Sequence, residues 1–433
     1  MNEGKIVVGI DIGTSKIAAI IARVDETINV LGVSEIKSSG IKKGQIVDIE
    51  EAVSTINASL DAAERMAGYS VSRVVASLGG AHIESQNSRG VVAVSNPEGE
   101  ISQSDISRVI DAARAISQPS TREIIHVIPR NYTVDGQEGI KDPIGMTGIR
   151  LEVDTHVISS STTSLRNLEK ALSEVGVDLD GVVFSAYASS LSVLSDTEKE
   201  LGVILVDIGA GTTDISIYVD GSISYSSVIP VGARHITNDL AIGLRISLDS
   251  AEKIKLYLSE SGKKTVKIEP EIEPEDVRKA AKALDEIDLS SLGLVEDLRK
   301  VSQKTLIDGI IRPRLNEIFI MVGLEIKKSG YGGQTPSGLV LTGGGAKTVG
   351  AIEAAKRMLA MSVRVGVPSG MKGIVDEIQD SSFAAVIGLV VYGAKESPAP
   401  YTMPFGLTLP NIPKFPANKF FRKVADFIRS FMP

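Results

Sequence analysis

Two stretches of this sequence share one design: VVGIDIGTSKIAAI at residues 7–20 and VILVDIGAGTTDISI at residues 203–217. Each is a β-branched run ending in Asp-Ile-Gly, then a turn of small hydroxyl residues, then a second β-branched run. That pattern reads as a strand, a tight turn and a strand. Asp11 and Asp207 stand at the tips. The turn residues Gly13, Thr14, Ser15 and Lys16, and in the second copy Gly209, Ala210, Gly211, Thr212 and Thr213, present backbone N–H groups and hydroxyls with little side chain in the way. Such a surface suits a polyphosphate. One hairpin of this kind is as readily an ordinary β-turn. Two facing copies would grip the β- and γ-phosphates of a nucleotide from opposite sides, with Asp11 and Asp207 holding a hydrated Mg²⁺ between them. The expectation is a two-lobed molecule in which each half supplies one jaw.

Working outward, residues 5–36 read as three short strands broken at Gly13-Thr14 and Asp25-Glu26, followed by a helix over EEAVSTINASLDAAERMAG. From Leu201 the meander starts again, with Asp220-Gly221 as its hairpin turn and Gly232 closing the third strand beside the nucleotide. Between them, GGAHIESQNSRGVVAV, a helix opened by Ser102 with Asp105 three residues on, and the strands REIIHVIPRNYTV and GIRLEVDTHVIS form a compact α+β block. Helical patterns dominate residues 233–329, and the strand GLVLTGGG then leads to a small-residue helix, SSFAAVIGLVVYGA. The expected layout is a first lobe over 1–84 and 164–200 with an inserted subdomain at 85–163, and a second lobe over 201–230 and 306–395 with a helical nucleotide- and partner-binding subdomain at 231–305. A linker at 396–417 and an amphipathic helix at 418–433 complete it.

A nucleotide clamp also needs a nucleoside site and hinges. LVLTGGGAKT at 339–348 ends a buried-type strand in Gly343, Gly344 and Gly345, followed by Lys347, where backbone can lie flat against a purine or its α-phosphate; the plainer reading is a helix-entry turn. Glu252, Lys255 and Ser259 share one helix face and could reach ribose hydroxyls and adenine edges, or simply form a solvated charged face. The small-residue helices at 184–194 and 383–393 are the candidate hinges. Neither a P-loop nor a dinucleotide-binding glycine fingerprint is present.

These three motifs, IDIGTSK, VDIGAGTTD and LTGGGAKT, resemble those of the actin/Hsp70/sugar-kinase superfamily over most of the chain. Within it, GGAHIESQNSRGVVAV, the run from IHVIPRNYTV to LEVDTHVIS, and GARHITNDLAIGLRISLDSAEKIK are similar to the FtsA family of bacterial cell-division proteins. The resemblance implies an α/β, actin-like ATPase fold of two ribonuclease H-like lobes, with ATP and Mg²⁺ as cofactors. It further implies a protein that polymerises on the inner membrane at the division site, binds other division proteins, and tethers FtsZ by its C-terminal peptide through the part matching 231–305. An actin-like component of a type IV pilus machine is the alternative, with a small-molecule kinase of the same superfamily behind it.

Whether ATP is hydrolysed or only bound stays open. In the hinge segment VVFSAYASS, Ser185 and Ala186 occupy the places where FtsA relatives usually show an acidic residue and a proline; Asp214 remains as a group able to place water. The catalytic set is therefore unassigned. His82, His126, His156 and His235 lack ligand spacing and read as structural or surface residues.

Charge and composition set the surroundings. The formal charge of −8 disfavours a nucleic-acid partner. The absence of cysteine excludes disulfides and thiolate metal sites, and the opening residues lack the pattern of a secretory signal, so a reducing cytoplasm is expected. The last twenty residues carry +4 against −12 for residues 1–413, and six of nine phenylalanines fall within the last 29. There Phe420, Phe421, Val424, Phe427, Ile428 and Phe431 make one helical face, with Arg422 and Lys423 on the other side. Following a tether with six prolines in twenty residues, this is a basic amphipathic helix suited to anionic lipid, with docking on the protein body as the alternative.

Overall fold

In the computed structural model, residues 4–261, 285–374 and 378–395 are described. The proline-rich stretch 396–417 and the face from Phe420 to Phe431 expected to bind membrane lie outside them.

The chain begins with three antiparallel strands, β1 (Lys5–Ile12), β2 (Lys16–Val24) and β3 (Ile28–Lys37), then a small hairpin of β4 (Ile41–Lys42) and β5 (Gln45–Ile46). Helix α1 (Ile49–Ala67) is capped by the Asp48 carboxylate, which accepts from the Glu51 N–H, and ends at the left-handed Gly68. Strand β6 (Arg73–Leu78) then pairs parallel with β1 on the side away from β2. The inserted block follows: β7 (Glu84–Ala93), α2 (Gln103–Arg114), β8 (Arg122–Val134), β9 (Gln137–Ile140) and β10 (Arg150–Ser161), a four-stranded sheet in the order β7-β10-β8-β9. Asp105 accepts hydrogen bonds from the Ser102 N–H and hydroxyl, the box expected at the start of α2. Helix α3 (Thr162–Val175), β11 (Asp178–Phe184), α4 (Ser185–Val193) and α5 (Asp196–Leu201) return the chain to the first lobe and carry it to the second.

The second lobe repeats the plan. Strands β12 (Val203–Ile208), β13 (Thr213–Val219) and β14 (Ser222–Ile229) form the same antiparallel meander. Asp220 and Gly221 turn the last hairpin, both with positive φ. Helices α6 (Ala233–Leu244) and α7 (Leu248–Ser261) come next. Within the stretch where helical patterns dominate, 233–329, lies a short antiparallel strand pair, β15 (Glu286–Asp288) with β16 (Lys300–Ser302). A helix from Gln303 passes through a π turn at Ile307–Ile311 into α8 (Arg312–Ser329). Strand β17 (Leu339–Thr342) pairs parallel with β12 as β6 does with β1, and α9 (Ala351–Leu359) and β18 (Val363–Val365) follow.

The chain then leaves the second lobe. Strand β19 (Met371–Gly373) pairs parallel with β3 at the edge of the first sheet, whose order is β11-β6-β1-β2-β3-β19, and α10 (Ala384–Lys395) packs on β1 and α4. The region 306–395 therefore does not stay wholly with the second lobe: β19 and α10 belong with the first sheet, while Asp380 and Ser381 bond to the turn after β17. Strands of three residues show no readable alternation, which is why β18 and β19 left no trace in the sequence pattern. Residues 384–390 are all buried, as the apolar composition of α10 on every side requires. Among the described residues no helix is long and apolar enough to cross a membrane.

The helices expected as hinges, α4 and α10, do cross in contact. Their approach depends on Gly388, where a methyl group would overlap the Ala188 carbonyl oxygen and carbon. Replacing Gly388 with Ala should destabilise the protein by at least about 2 kcal/mol, because backbone has to move to admit the methyl. Gly309→Ala, at a position with nothing within 4 Å, should change the denaturation midpoint little. Equal effects in a thermal or urea melt would contradict this account of the crossing.

Candidate functional site

The two hairpin tips are built alike down to one hydrogen bond. The Gly13 N–H donates to the Lys16 carbonyl at 3.0 Å, and the Gly209 N–H donates to the Thr212 carbonyl at 2.9 Å. Beneath each tip a serine from a neighbouring element holds the aspartate. Ser77 on β6 donates to Asp11 at 2.6 Å and accepts from the Ile12 N–H, and Ser189 on α4 donates to Asp207 at 2.5 Å. The loops meet across the cleft. A side chain at Gly211 would strike the Thr14 hydroxyl and the backbone of Lys43, and the Gly44 N–H donates to that same hydroxyl at 3.0 Å.

A third carboxyl joins them, and here the copies differ. Asp207 pairs across the hairpin with Asp214, whereas Asp11 pairs with Ala18. Two carboxylates directly opposite on neighbouring strands repel. Burial pushes Asp214 up to about 8, with the charges of Asp207 and Asp11 adding and a Thr212 hydrogen bond opposing. Burial likewise raises Asp207 to about 6 against the Ser189 hydrogen bond, and raises Asp11 against Ser77 and Lys16. One Asp214 oxygen is buried with no hydrogen-bond partner. The other lies near Gly79, at the point where β6 leads into the insert, and the Ser185 hydroxyl faces the same spot.

This is a polar recess with excess negative charge, an orphaned carboxylate oxygen and glycine backbone on both sides. It fits a divalent cation with a polyphosphate. Among the described residues no three His, Asp or Glu groups converge closely enough to hold a metal alone. Mg²⁺ does not demand that, since it keeps waters and takes substrate phosphates beside one or two carboxylates.

The remaining candidates sort by geometry. Lys16 reaches Glu35 at 2.7 Å and Ser382 at 3.0 Å and lies over the Phe383 ring, close enough to Asp11 and Asp207 to lower both. The Ser15 carbonyl accepts from the Ser38 N–H, and Ala210 accepts from the N–H of Arg234. Gly232 packs directly on Gly209 and Ala210, so it supports the second loop from behind. The Thr213 hydroxyl is buried and donates to the Val231 carbonyl, away from the cleft, so its side chain does not serve as a phosphate group. At Gly343 and Gly345 an added Cβ would overlap Asp207 and Ile208, so these glycines let the turn close on the end of β12, and residues 344–347 form a helical entry turn. Gly344 is open, its nearest neighbour being Ser382 at 3.8 Å. Lys347 is paired with Asp380 at 2.7 Å.

Glu252, Lys255 and Ser259 do line one face of α7. Lys255 bridges to Glu252 at 2.7 Å, both share the Thr237 hydroxyl of α6, and Ser259 accepts from the Val349 N–H just beyond the glycine turn. The face is thus brought beside the third motif. Sequence reasoning missed Ser77, Ser189, Gly79, Thr237 and the Lys43-Gly44 turn. Only the Gly79-Gly80 pair carried a local signal. His126 and His156 are diagonal neighbours on the paired strands β8 and β10, while His82 and His235 stand apart from them; burial pulls His82 and His126 down to about 4 and His156 to about 3, and His235 accepts at the start of α6.

Comparison with known proteins agrees with this architecture. Residues 80–159 match the family model described as the SHS2 domain inserted in FtsA, and residues 204–388 match that of cell division protein FtsA. The chain is 37% identical over 398 residues to the cell division protein FtsA of Pseudomonas aeruginosa, covering 92% of this chain and 91% of that one. It is 33% identical to the FtsA of Bacillus subtilis, covering 92% and 85%. Among solved structures it superposes on a PilM–PilN type IV pilus biogenesis complex (TM-score 0.63, 14% identity, 90% and 99% covered) and on MreB5 of Spiroplasma citri bound to ADP (0.50, 14%, 90% and 97%). These two likenesses show the fold alone.

The carboxyl cluster makes stability depend on pH. Asp214 binds its proton more tightly in the fold than in the unfolded chain, so the fold is unpenalised below about pH 4 and loses stability as pH rises toward about 8. In nucleotide-free protein, Asp214→Asn should be near neutral at pH 4 and stabilising by up to about 5 kcal/mol at pH 8. Urea titrations at the two pH values measure this, and a pH-independent difference would contradict it.

Proposed function

The chain belongs to the FtsA family of cell division proteins, and from that premise we propose that it binds Mg-ATP in this cleft and uses the bound nucleotide as a switch for assembly. The observation that carries the reading is the pair of matched hairpin tips meeting around three carboxyls, Asp214 buried and Asp11 and Asp207 half-buried. In this reading the backbone of residues 13–15 and 209–212 cradles the β- and γ-phosphates, and Lys16 adds a positive charge. Asp11 and Asp207 orient the water shell of Mg²⁺, which supplies charge neutralisation at the phosphates. Glu252, Lys255 and Ser259 take the ribose and adenine edge, with the open backbone at Gly344 nearby. Ser185 and Asp214 face the space beside Gly79 where an attacking water would stand. A serine in place of an acid supports slow hydrolysis, or none, over rapid turnover.

The same reading makes the protein a peripheral component of the cytoplasmic face of the membrane at the division site. It polymerises there, binds the FtsZ C-terminal peptide through residues 231–305, meets other division proteins, and holds to anionic lipid through the face from Phe420 to Phe431. One such tail binds weakly, while a filament presenting many gains by effective concentration. The match of residues 80–159 to the FtsA insert favours this over a pilus component of similar fold.

Isothermal calorimetry should detect Mg-ATP binding to the full chain, weakened at least tenfold by Asp11→Ala with Asp207→Ala. No heat from the parent protein would refute the nucleotide site. Removing residues 418–433 should release the protein from anionic vesicles in a flotation assay while leaving ATP binding intact. Flotation unchanged by the truncation would refute the anchor.

A further inference from the structure

Two sheets present open edges to one another. Strand β14 ends the second-lobe sheet, and β7 ends the sheet of the insert. They run side by side without forming a ladder. Side chains of β7 take the place of a strand partner instead. The Ser85 hydroxyl donates to the Ser226 carbonyl at 2.7 Å and accepts from the Ser226 N–H at 3.2 Å. Two residues on, the Asn87 amide donates to the Ser224 carbonyl at 3.2 Å and to the Tyr331 hydroxyl at 3.3 Å. His156, opposite Asn87 on β10, bonds the Asn87 amide oxygen at 2.7 Å and the Ser226 hydroxyl at 2.9 Å. The period of two on both strands makes these contacts fall in register.

The seam is polar throughout. The apolar clusters of the insert and of the second lobe are separate. Two buried polar atoms near it, Arg130 Nε and the hydroxyl of Ser216, opposite Ser226 on β13, have no hydrogen-bond partner. Such a contact is specific in register and easy to part, unlike an apolar interface.

The insert is also fastened to the first lobe: the Phe184 N–H donates to His126 Nε2 at 3.1 Å, the His126 ring packs edge-on to Tyr187, and β10 runs directly into α3. Its entry passes through Gly79, which faces Ser185 and Asp214 in the cleft, and Gly80, whose φ of +116° only glycine adopts readily. Ser77, the residue holding Asp11, lies two positions earlier. On the hinge side a cavity of about 260 Å³ opens between the insert and the hinge helices, lined by Asp111, Arg114, His126, Tyr187 and Tyr392.

We propose that Ser85, Asn87 and His156 latch the insert onto the open edge of β14, so that the insert travels with the second lobe and its orientation on the first lobe reports whether the cleft is closed. The nucleotide part of this statement rests on the reading given above. Because β14 is laddered to β13 and β13 to β12, movement of the second phosphate loop carries the latch with it. Each hydrogen bond of ordinary net strength biases the latched state about fivefold, so four together give a bias of several hundredfold. That lies within the range a bound ligand can shift.

The chain has no cysteine, so paired labels are unique. Ser54→Cys on α1 and Ser107→Cys on α2, both exposed, report the insert against the first lobe by pulsed electron spin resonance. Nucleotide-free parent should give one narrow distance distribution, broadened by Ser85→Ala with Asn87→Ala and, from the opposite side, by Ser226→Ala. Hydrogen exchange of residues 222–229 should accelerate about fivefold in the double variant, one lost hydrogen bond's worth, with the fold otherwise intact. Unchanged distances and exchange in both variants overturn the latch. Mg-ATP should shift the parent distance and leave the double variant unshifted while calorimetry still shows binding; equal shifts in both overturn the coupling. No binding heat in the parent sinks the nucleotide reading alone, and the latch is then judged by the nucleotide-free distances.

Discussion

The withdrawal of acids from water is the constraint around which the cleft is organised. Asp11, Asp207 and Asp214 are each withdrawn from water, and each acidic group is made harder to ionise by burial and, for Asp207 and Asp214, by another acid. Hydrogen bonds from Ser77 and Ser189 and the field of Lys16 offset part of this. What remains is a local deficit of positive charge that a hydrated divalent ion would relieve. The scaffold tolerates it because strands on both sides fix the carbonyls and N–H groups of the loops, leaving the acids no room to separate.

Duplication supplies that scaffold, and divergence gives the halves different work. In both sheets a central strand ends in an aspartate, lies antiparallel to its hairpin partner and parallel to the strand on its other side. Only the second hairpin adds Asp214, and only the first lobe carries the insert. The first sheet also gains β19 and α10 from the far end of the chain. The lobes are thus sewn together by two covalent crossings, one at α4 and one before β19.

The hairpins were readable because their signals are local: β-branched runs, a glycine turn and an acid at a fixed place. The Ser102 and Asp105 box and the Asp220-Gly221 turn were readable for the same reason. Ser77 and Ser189 were not, since a lone serine 66 residues from its aspartate, or 18 from it, looks like any other. Gly343 and Gly345 show a subtler limit. Their spacing marks a place where backbone must come close to something, and the end of β12 is one such neighbour, which only the tertiary structure shows. Thr213 failed by strand alternation, because its neighbour Asp214 took the cleft face. The short strands β18 and β19 exist through pairing with distant partners, which no local window records.

Helix α10 has a mechanical consequence. It ends at Lys395, lies against β1 and crosses α4 at a contact too close for a methyl group. The Lys5 ammonium at the start of β1 donates to the Gly393 carbonyl near the helix end. Any tension applied through the chain after Lys395 must therefore enter the protein along a buried rod fastened to the strand that terminates in Asp11. A pull there loads the first lobe before it reaches the second, so strain entering at Lys395 and geometry at the Asp11 hairpin tip share a single short path.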